Sequence, residues 1–133
     1  MKYRTGYKYQ LAAPYIAPCV GVQRGTDLSA NGYVFLSASK ISICEGYAWN
    51  GASGPVRDTR RTMRASLVHD AIYQLIREEL LPATAKDAAD QVFRDLCIED
   101  GTPRWRANLY YRALRRFGQP ATDPKNKRKV IEI

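Results

Sequence analysis

Apolar residues recur at a helical period through the second half of the chain. Met63, Leu67, Val68, Ala71, Ile72, Leu75 and Ile76 lie three or four residues apart. That spacing predicts a helix running to about Leu80, with Asp58 or Thr59 able to cap its start. Leu81-Pro82-Ala83 interrupts the pattern. Thr84, with Asp87 three residues on, resembles a capping box and predicts a second helix over 84–99. Gly101-Thr102-Pro103 ends it, and a third helix is expected over Arg104–Phe117. Trp105, Leu109, Ala113 and Phe117 form one stripe of that helix, with Arg104, Arg106, Arg112, Arg115 and Arg116 on its other faces.

The first fifty residues follow a different rule. They are rich in Tyr, Val, Ile and Gly and are punctuated by Pro14, Pro18, Gly25 and Asn31-Gly32. Tyr33–Leu36 and Lys40–Cys44 read as two strands of a hairpin joined through Ser37–Ser39. An earlier pair is expected around Tyr7–Leu11 and Cys19–Val22. Residues 45–58 read as a Gly-rich loop. Strands first and helices after indicate an α+β domain over residues 1–118, with a β-rich part (1–48), a helical part (57–118) and a basic tail (119–133).

Composition narrows the class. A chain of 133 residues with 45% hydrophobic residues is long enough for one domain with a real core. The net charge of +8 is unevenly placed. Residues 1–103 hold 12 basic and 11 acidic groups, and residues 104–133 hold 9 and 2. The last thirty residues therefore favour an anionic partner. Cys19, Cys44 and Cys97 are odd in number and form no CxxC, which suggests a reducing compartment. No run reads as a signal peptide or a membrane span, so a soluble protein that is not secreted by the standard route is expected.

One constellation carries chemistry. The short link at 81–83 should fold the first two helices into an antiparallel hairpin, and Tyr73 and Asp90 are about equally far from its middle. His69 and Tyr73, four apart, share a helical face. Asp90 follows Ala88-Ala89 and shares a stripe with Phe93 and Cys97, so it should face inward and need donors. Tyr73 and His69 are the natural ones. A carboxylate that fixes the imidazole tautomer makes a general base. Asp70 points away by about a quarter turn and has no evident basic partner. A carboxylate beside a Gly-rich loop suits a hard cation such as Ca²⁺, with backbone carbonyls as further ligands.

These residues resemble known families. His69-Asp70-Ala71-Ile72-Tyr73 followed by Ala89-Asp90 is similar to the H-D-x-x-Y…D pattern of phospholipase A₂ enzymes. Gly51-Ala52-Ser53-Gly54 lies upstream of the His much as the calcium loop does there. The disulfides of secreted members are absent, and the parvoviral capsid phospholipases are the nearer precedent. Nearly the whole chain resembles the family called domain of unknown function 1353, found mostly in phages and prophages. That resemblance rests on Gly46–Pro55, His69-Asp70-x-x-Tyr73, Ala89-Asp90-x-x-Phe93 and Tyr111-x-Ala113-x-Arg115-x-Phe117-Gly118. Asn50 stands where an Asp would be expected, one negative charge fewer for a cation.

The phospholipase resemblance implies a calcium-dependent lipid esterase. His69 would activate water, Asp90 would hold the imidazolium and Tyr73 would support Asp90. Asp70 with the carbonyls of Trp49, Gly51 and Ser53 would bind Ca²⁺. The rings of Trp49 and Tyr47 and the basic third helix would meet an anionic phospholipid surface. The alternative is a non-enzymatic virion or host-interaction protein, in the host cytoplasm or the virion, that binds a partner through residues 104–133. Nucleic acid is a less favoured partner of the same segment, because no recognised binding motif accompanies its arginines. Metal phosphohydrolase, Ser–His–Asp and zinc chemistry lack their residues in a chain with one His and no G-x-S-x-G.

Overall fold

The structure, a computed structural model, describes residues 3–4, 9–18, 27–30, 32–37, 40–49 and 59–117. Its elements in chain order are strands β1 (Tyr3–Arg4), β2 (Tyr9–Leu11), β3 (Tyr15–Pro18), β4 (Leu28–Ala30), β5 (Val34–Ser37), β6 (Lys40–Ile43) and β7 (Ala48–Trp49). Helices α1 (Arg60–Arg77), α2 (Ala85–Glu99) and α3 (Arg104–Phe117) follow. The architecture is α+β.

The expected hairpin forms as β5 and β6, with Val34 opposite Ile43 and Leu36 opposite Ile41. Alternation sends these four side chains into the core and turns Phe35 outward. β3 and β4 pair with the outer edges of this hairpin in a four-stranded antiparallel sheet. The earlier strand pair is different from expectation. Tyr9–Leu11 is a strand, but its neighbours are β1 and β7. Cys19–Val22 lies outside the described residues. β7 falls in the stretch read as loop, because Trp49 buries its indole and its backbone pairs with Tyr9. Two residues are too short a run to show periodicity.

Thr59 caps α1 through a reciprocal arrangement with Thr62: its hydroxyl accepts from the Arg61 amide, and its own amide donates to Thr62 Oγ1. The helix stops three residues short of Leu80. Glu79 takes a left-handed conformation (φ 62°), its amide donates to Ile76 and the Leu80 amide reaches back to Leu75. This is a Schellman ending with Glu where Gly is usual. α2 ends the same way, with Gly101 at φ 103° and amide bonds from Gly101 to Ile98 and from Thr102 to Cys97.

The capping box expected at Thr84 does not form. Thr84 is itself helical (φ −65°, ψ −19°) and its side chain makes no capping bond. The turn begins earlier, where the Ala85 and Lys86 amides donate to Pro82 and Ala83. Asp87 is engaged instead by Tyr111 and Gln91.

α1 and α2 are antiparallel, since Arg64 near the start of α1 meets Asp100 past the end of α2 while Tyr73 meets Asp90. One core cluster spans both halves, joining Leu11, Leu36, Ile41 and Trp49 to Leu67, Val68, Ile72, Leu75 and Phe93. The face of α3 is a correction. Ala107 and Leu114 are buried, with Tyr110 packed beside them, whereas Trp105 and Leu109 are 62% and 51% exposed. The 107–110–114 spacing is as helical as 105–109–113, and the small Ala107 lets α3 approach its neighbours closely.

Candidate functional site: a carboxylate shared by three helices

Asp90 sits at the centre of the helical half with no exposed surface. Its Oδ1 accepts hydrogen bonds from His69 Nε2 (2.7 Å) and from the Tyr73 hydroxyl. Its Oδ2 accepts from Lys86 Nζ (3.0 Å), with Arg115 Nη1 at 3.6 Å. Lys86 also donates to the Leu114 carbonyl (2.7 Å) in the last turn of α3. One carboxylate thus receives donors from α1, α2 and α3. The three residues read from the sequence as a constellation, His69, Tyr73 and Asp90, are together in space.

The electrostatics follow from that geometry. Burial alone would raise the Asp90 pKa, but hydrogen bonds from His69, Tyr73 and Lys86 outweigh it and hold the carboxyl below its usual range. Tyr73 is pushed the other way, by burial first and then by the Asp90 carboxylate. It therefore stays a protonated donor. An ionised Asp90 can only accept, so His69 Nε2 carries the proton of their bond. In neutral imidazole that leaves the lone pair on Nδ1, for which the described residues offer no hydrogen-bond partner. The ring is held in place by Tyr73 (centroids 3.9 Å apart) and by an edge contact with Phe93 (5.3 Å). Chemically this is an oriented base, 3% exposed.

Asp70 lies on another face of α1. It lines a cleft of about 200 Å³ together with Tyr33, Gly46, Tyr47, Gln74 and Arg77. Among the described residues this wall includes none of His69, Tyr73 and Asp90. Asp70 is not the isolated carboxylate that the sequence suggests, because it has interactions of its own and Arg77 shares its cleft. Arg77 is seven residues on, two turns along the same face.

The donor set for a cation is thin there. Of the expected ligands, Asp70 and Trp49 are described, while Gly51 and Ser53 lie outside the described residues, as does Asn50. Trp49 is fixed by its indole, which is buried and donates to Ser66 Oγ on α1 (3.1 Å). The described residues hold no group of three or more His, Cys, Asp or Glu able to bind a metal. One carboxylate beside a guanidinium falls short of the six to eight oxygens that Ca²⁺ takes, so the described donors do not fit that ion by themselves.

Lys86 and Arg115 are the parts of the site that sequence reasoning missed. Lys86 is buried, on the Ala85–Ala89 side of α2 and four residues before Asp90. A lysine in register with an inward carboxylate on an otherwise small, apolar face was the available signal. Arg115 bridges Asp87 (3.5 Å) and Asp90. The tail 118–133, with its Lys125–Lys129 run, lies outside the described residues. Among the described residues no helix is long and apolar enough to cross a membrane.

Comparison with curated proteins and with solved structures finds no match. A family comparison does match, over residues 32–114, which takes in the β5–β6 hairpin, all of α1 and α2 and most of α3. With well over half its length matched, from the hairpin through the Asp90 cluster, the chain belongs to the family described as protein of unknown function (DUF1353).

Proposed function

We propose that this chain is a phage-encoded, phospholipase A₂-like ester hydrolase in which His69 activates water. The observation that supports this reading is the His69–Asp90 bond at 2.7 Å, with the carboxylate itself steadied by Tyr73 and Lys86. His69 Nδ1 takes a proton from water, and the water oxygen attacks the ester carbonyl of a phospholipid. Asp90 stabilises the imidazolium that forms. The tetrahedral intermediate expels the glycerol oxygen, which takes the proton back from Nδ1, and fatty acid and lysophospholipid leave. Calcium belongs to the proposal only with ligands beyond the described residues, the carbonyls of Gly51 and Ser53 beside Asp70; held there, the ion would supply Lewis-acid chemistry, and none of the proton transfers at His69 is routed through it. Exposed Trp105 and Leu109, with the arginines of α3, suit an anionic phospholipid surface.

A second reading has its own support. Asp90 already has four donors within 3.6 Å and His69 is buried, as expected of a scaffold cluster in a non-enzymatic virion or host-interaction protein. Such a protein would act in the host cytoplasm or the virion and use residues 104–133 to bind its partner.

Hydrolysis of mixed anionic and zwitterionic phospholipid vesicles, with Ca²⁺ and with chelator, separates the two. The esterase releases fatty acid only with Ca²⁺, and release is lost in His69→Gln and in Asp70→Asn while thermal melts report folded protein. No release from folded wild type across several lipids sinks the esterase and leaves the scaffold.

A further inference from the structure

A second cleft, of about 280 Å³, is lined by none of His69, Asp70, Tyr73 and Asp90: its walls come from the N-terminal ends of α1 and α3. Arg60 and Arg61 enter from α1, and Arg106 and Tyr110 from α3. Neither helix has an acidic residue in its first turn. Helices of 18 and 14 residues therefore bring their positive ends to one place and add arginines there, against the usual preference for Asp or Glu.

These arginines differ from others of the helical half. Arg64 pairs with Asp100 and Glu99, Arg94 with Asp95, and Arg115 with Asp87 and Asp90. Among the described residues, Arg60, Arg61 and Arg106 have no carboxylate partner, and the half-buried Tyr110 hydroxyl has no hydrogen bond. Three like charges beside two helix ends raise one another's energy, and an anion relieves all of them at once.

The walls are built. Thr62 and Thr102 are buried, and Thr102 Oγ1 donates to the Arg61 carbonyl (3.4 Å). The Arg61 stem runs past Gly101, 3.6 to 3.9 Å from where a Cβ there would stand. The Arg106 guanidinium lies 5.2 Å from the centre of the Trp105 ring, and Tyr110 sets its ring against Phe93. Side chains held this way lose less freedom when they grip a ligand.

We infer that this cleft binds a phosphate monoester dianion through Arg60, Arg61 and Arg106. Guanidinium forks and helix N-termini both match phosphate oxygens. Three cations and two helix ends call for more than one negative charge, which favours a terminal phosphate over a diester. The volume, just under the roughly 300–1,000 Å³ of pockets for larger ligands, fits a phosphate with a short ester arm. The same group is offered by inorganic phosphate, by a small phosphomonoester and by a phosphatidic acid headgroup.

The test is an amide NMR titration of the full chain at constant ionic strength and about pH 8, above the second phosphate pKa of about 6 for esters. Inorganic phosphate is expected to give saturable shifts at residues 60–62 and 104–106, and dimethyl phosphate to bind at least about tenfold more weakly. Arg61→Gln and Arg106→Gln, both at exposed positions, should each weaken phosphate by roughly tenfold, the scale of one charged hydrogen bond, with unchanged melts. Equal binding of dimethyl phosphate, shifts that never saturate, or phosphate affinity untouched by both substitutions overturns the inference. Vesicles carrying phosphatidic acid then distinguish the sources: Arg106-dependent binding to them, and not to phosphatidylglycerol vesicles of equal charge, assigns a lipid headgroup, and its absence assigns a soluble phosphate. Loss of vesicle hydrolysis in the esterase assay leaves this site untouched, because none of its residues belongs to the His69–Asp90 cluster.

Discussion

Lys86 Nζ lies 3.0 Å from Asp90 Oδ2 and 2.7 Å from the Leu114 carbonyl, so one buried ammonium ties the α2 carboxylate to the end of α3. The pair lies within one helix with Lys first, the less favourable order for an isolated helix. Its contribution is therefore tertiary. Removing one partner of a buried pair leaves a desolvated charge behind, which costs about 3–5 kcal/mol. Lys86→Met should destabilise the fold by about 3 kcal/mol in urea unfolding and loosen α3, seen as faster hydrogen exchange at residues 107–114. A loss under about 1 kcal/mol would mean that Arg115 moves in to replace it.

Acid should weaken the fold through Asp90 more than through its exposed carboxylates, because the buried carboxylate is the one tied to three helices. The folded pKa of Asp90 is lowered and the unfolded one is the ordinary value of about 3.9. Between the two, the unfolded chain binds the extra proton, so the stability Asp90 contributes is present above about pH 4 and is lost as pH falls through the folded pKa. Asp90→Asn removes this dependence. Unfolding free energies of wild type and Asp90→Asn measured from pH 7 to pH 2 should converge toward the acid end. A constant difference across that range contradicts the lowered pKa.

Cys97 should be inert in the native protein. Burial, and next the nearby Asp100 charge, push its thiol up to about 12. At pH 8 the thiolate is then about one part in ten thousand, too little for ready alkylation. Iodoacetamide followed by peptide mass spectrometry should label the half-buried Cys44 in native protein and leave Cys97 unmodified until denaturant is added. Equal native labelling of the two would refute the assignment.

The helical half was legible because its signals are long. Periodicity over eighteen residues placed α1, and the i, i+4 pair His69–Tyr73, with Asp90 as far from the hairpin link as Tyr73, brought the three together. What failed did so where the signal is short or degenerate. Strands of two to four residues, such as β4 and β7, carry too few positions to alternate visibly. In α3 two apolar stripes compete, and only the docking of α2 decides that Ala107 and Leu114 go inside and Trp105 stays out. Thr84 has the right letters for a cap, but the preceding Pro82–Ala83 turn takes the first amides. Lys86 was missed because composition counts every lysine as surface charge.

The two helix ends of the hairpin make a matched comparison. Both are Schellman endings with the same pair of backbone bonds, yet the left-handed position is Glu79 in one and Gly101 in the other. A side chain in that conformation costs roughly 1 kcal/mol, because Cβ crowds the following carbonyl. Glu79→Gly should therefore stabilise the protein by about 0.5–1 kcal/mol, raising the melting temperature by a few degrees. Gly101→Ala should do the opposite by about 1 kcal/mol, and the Arg61 stem, in ordinary contact distance of the new Cβ, adds no clash that would enlarge it. Thermal melts of the two variants and the double variant should add within about 0.5 kcal/mol, since the sites lie at opposite ends of α2 and share no partner. A destabilised Glu79→Gly would mean that the Glu79 side chain holds the link at 81–83 through a contact worth more than its backbone strain.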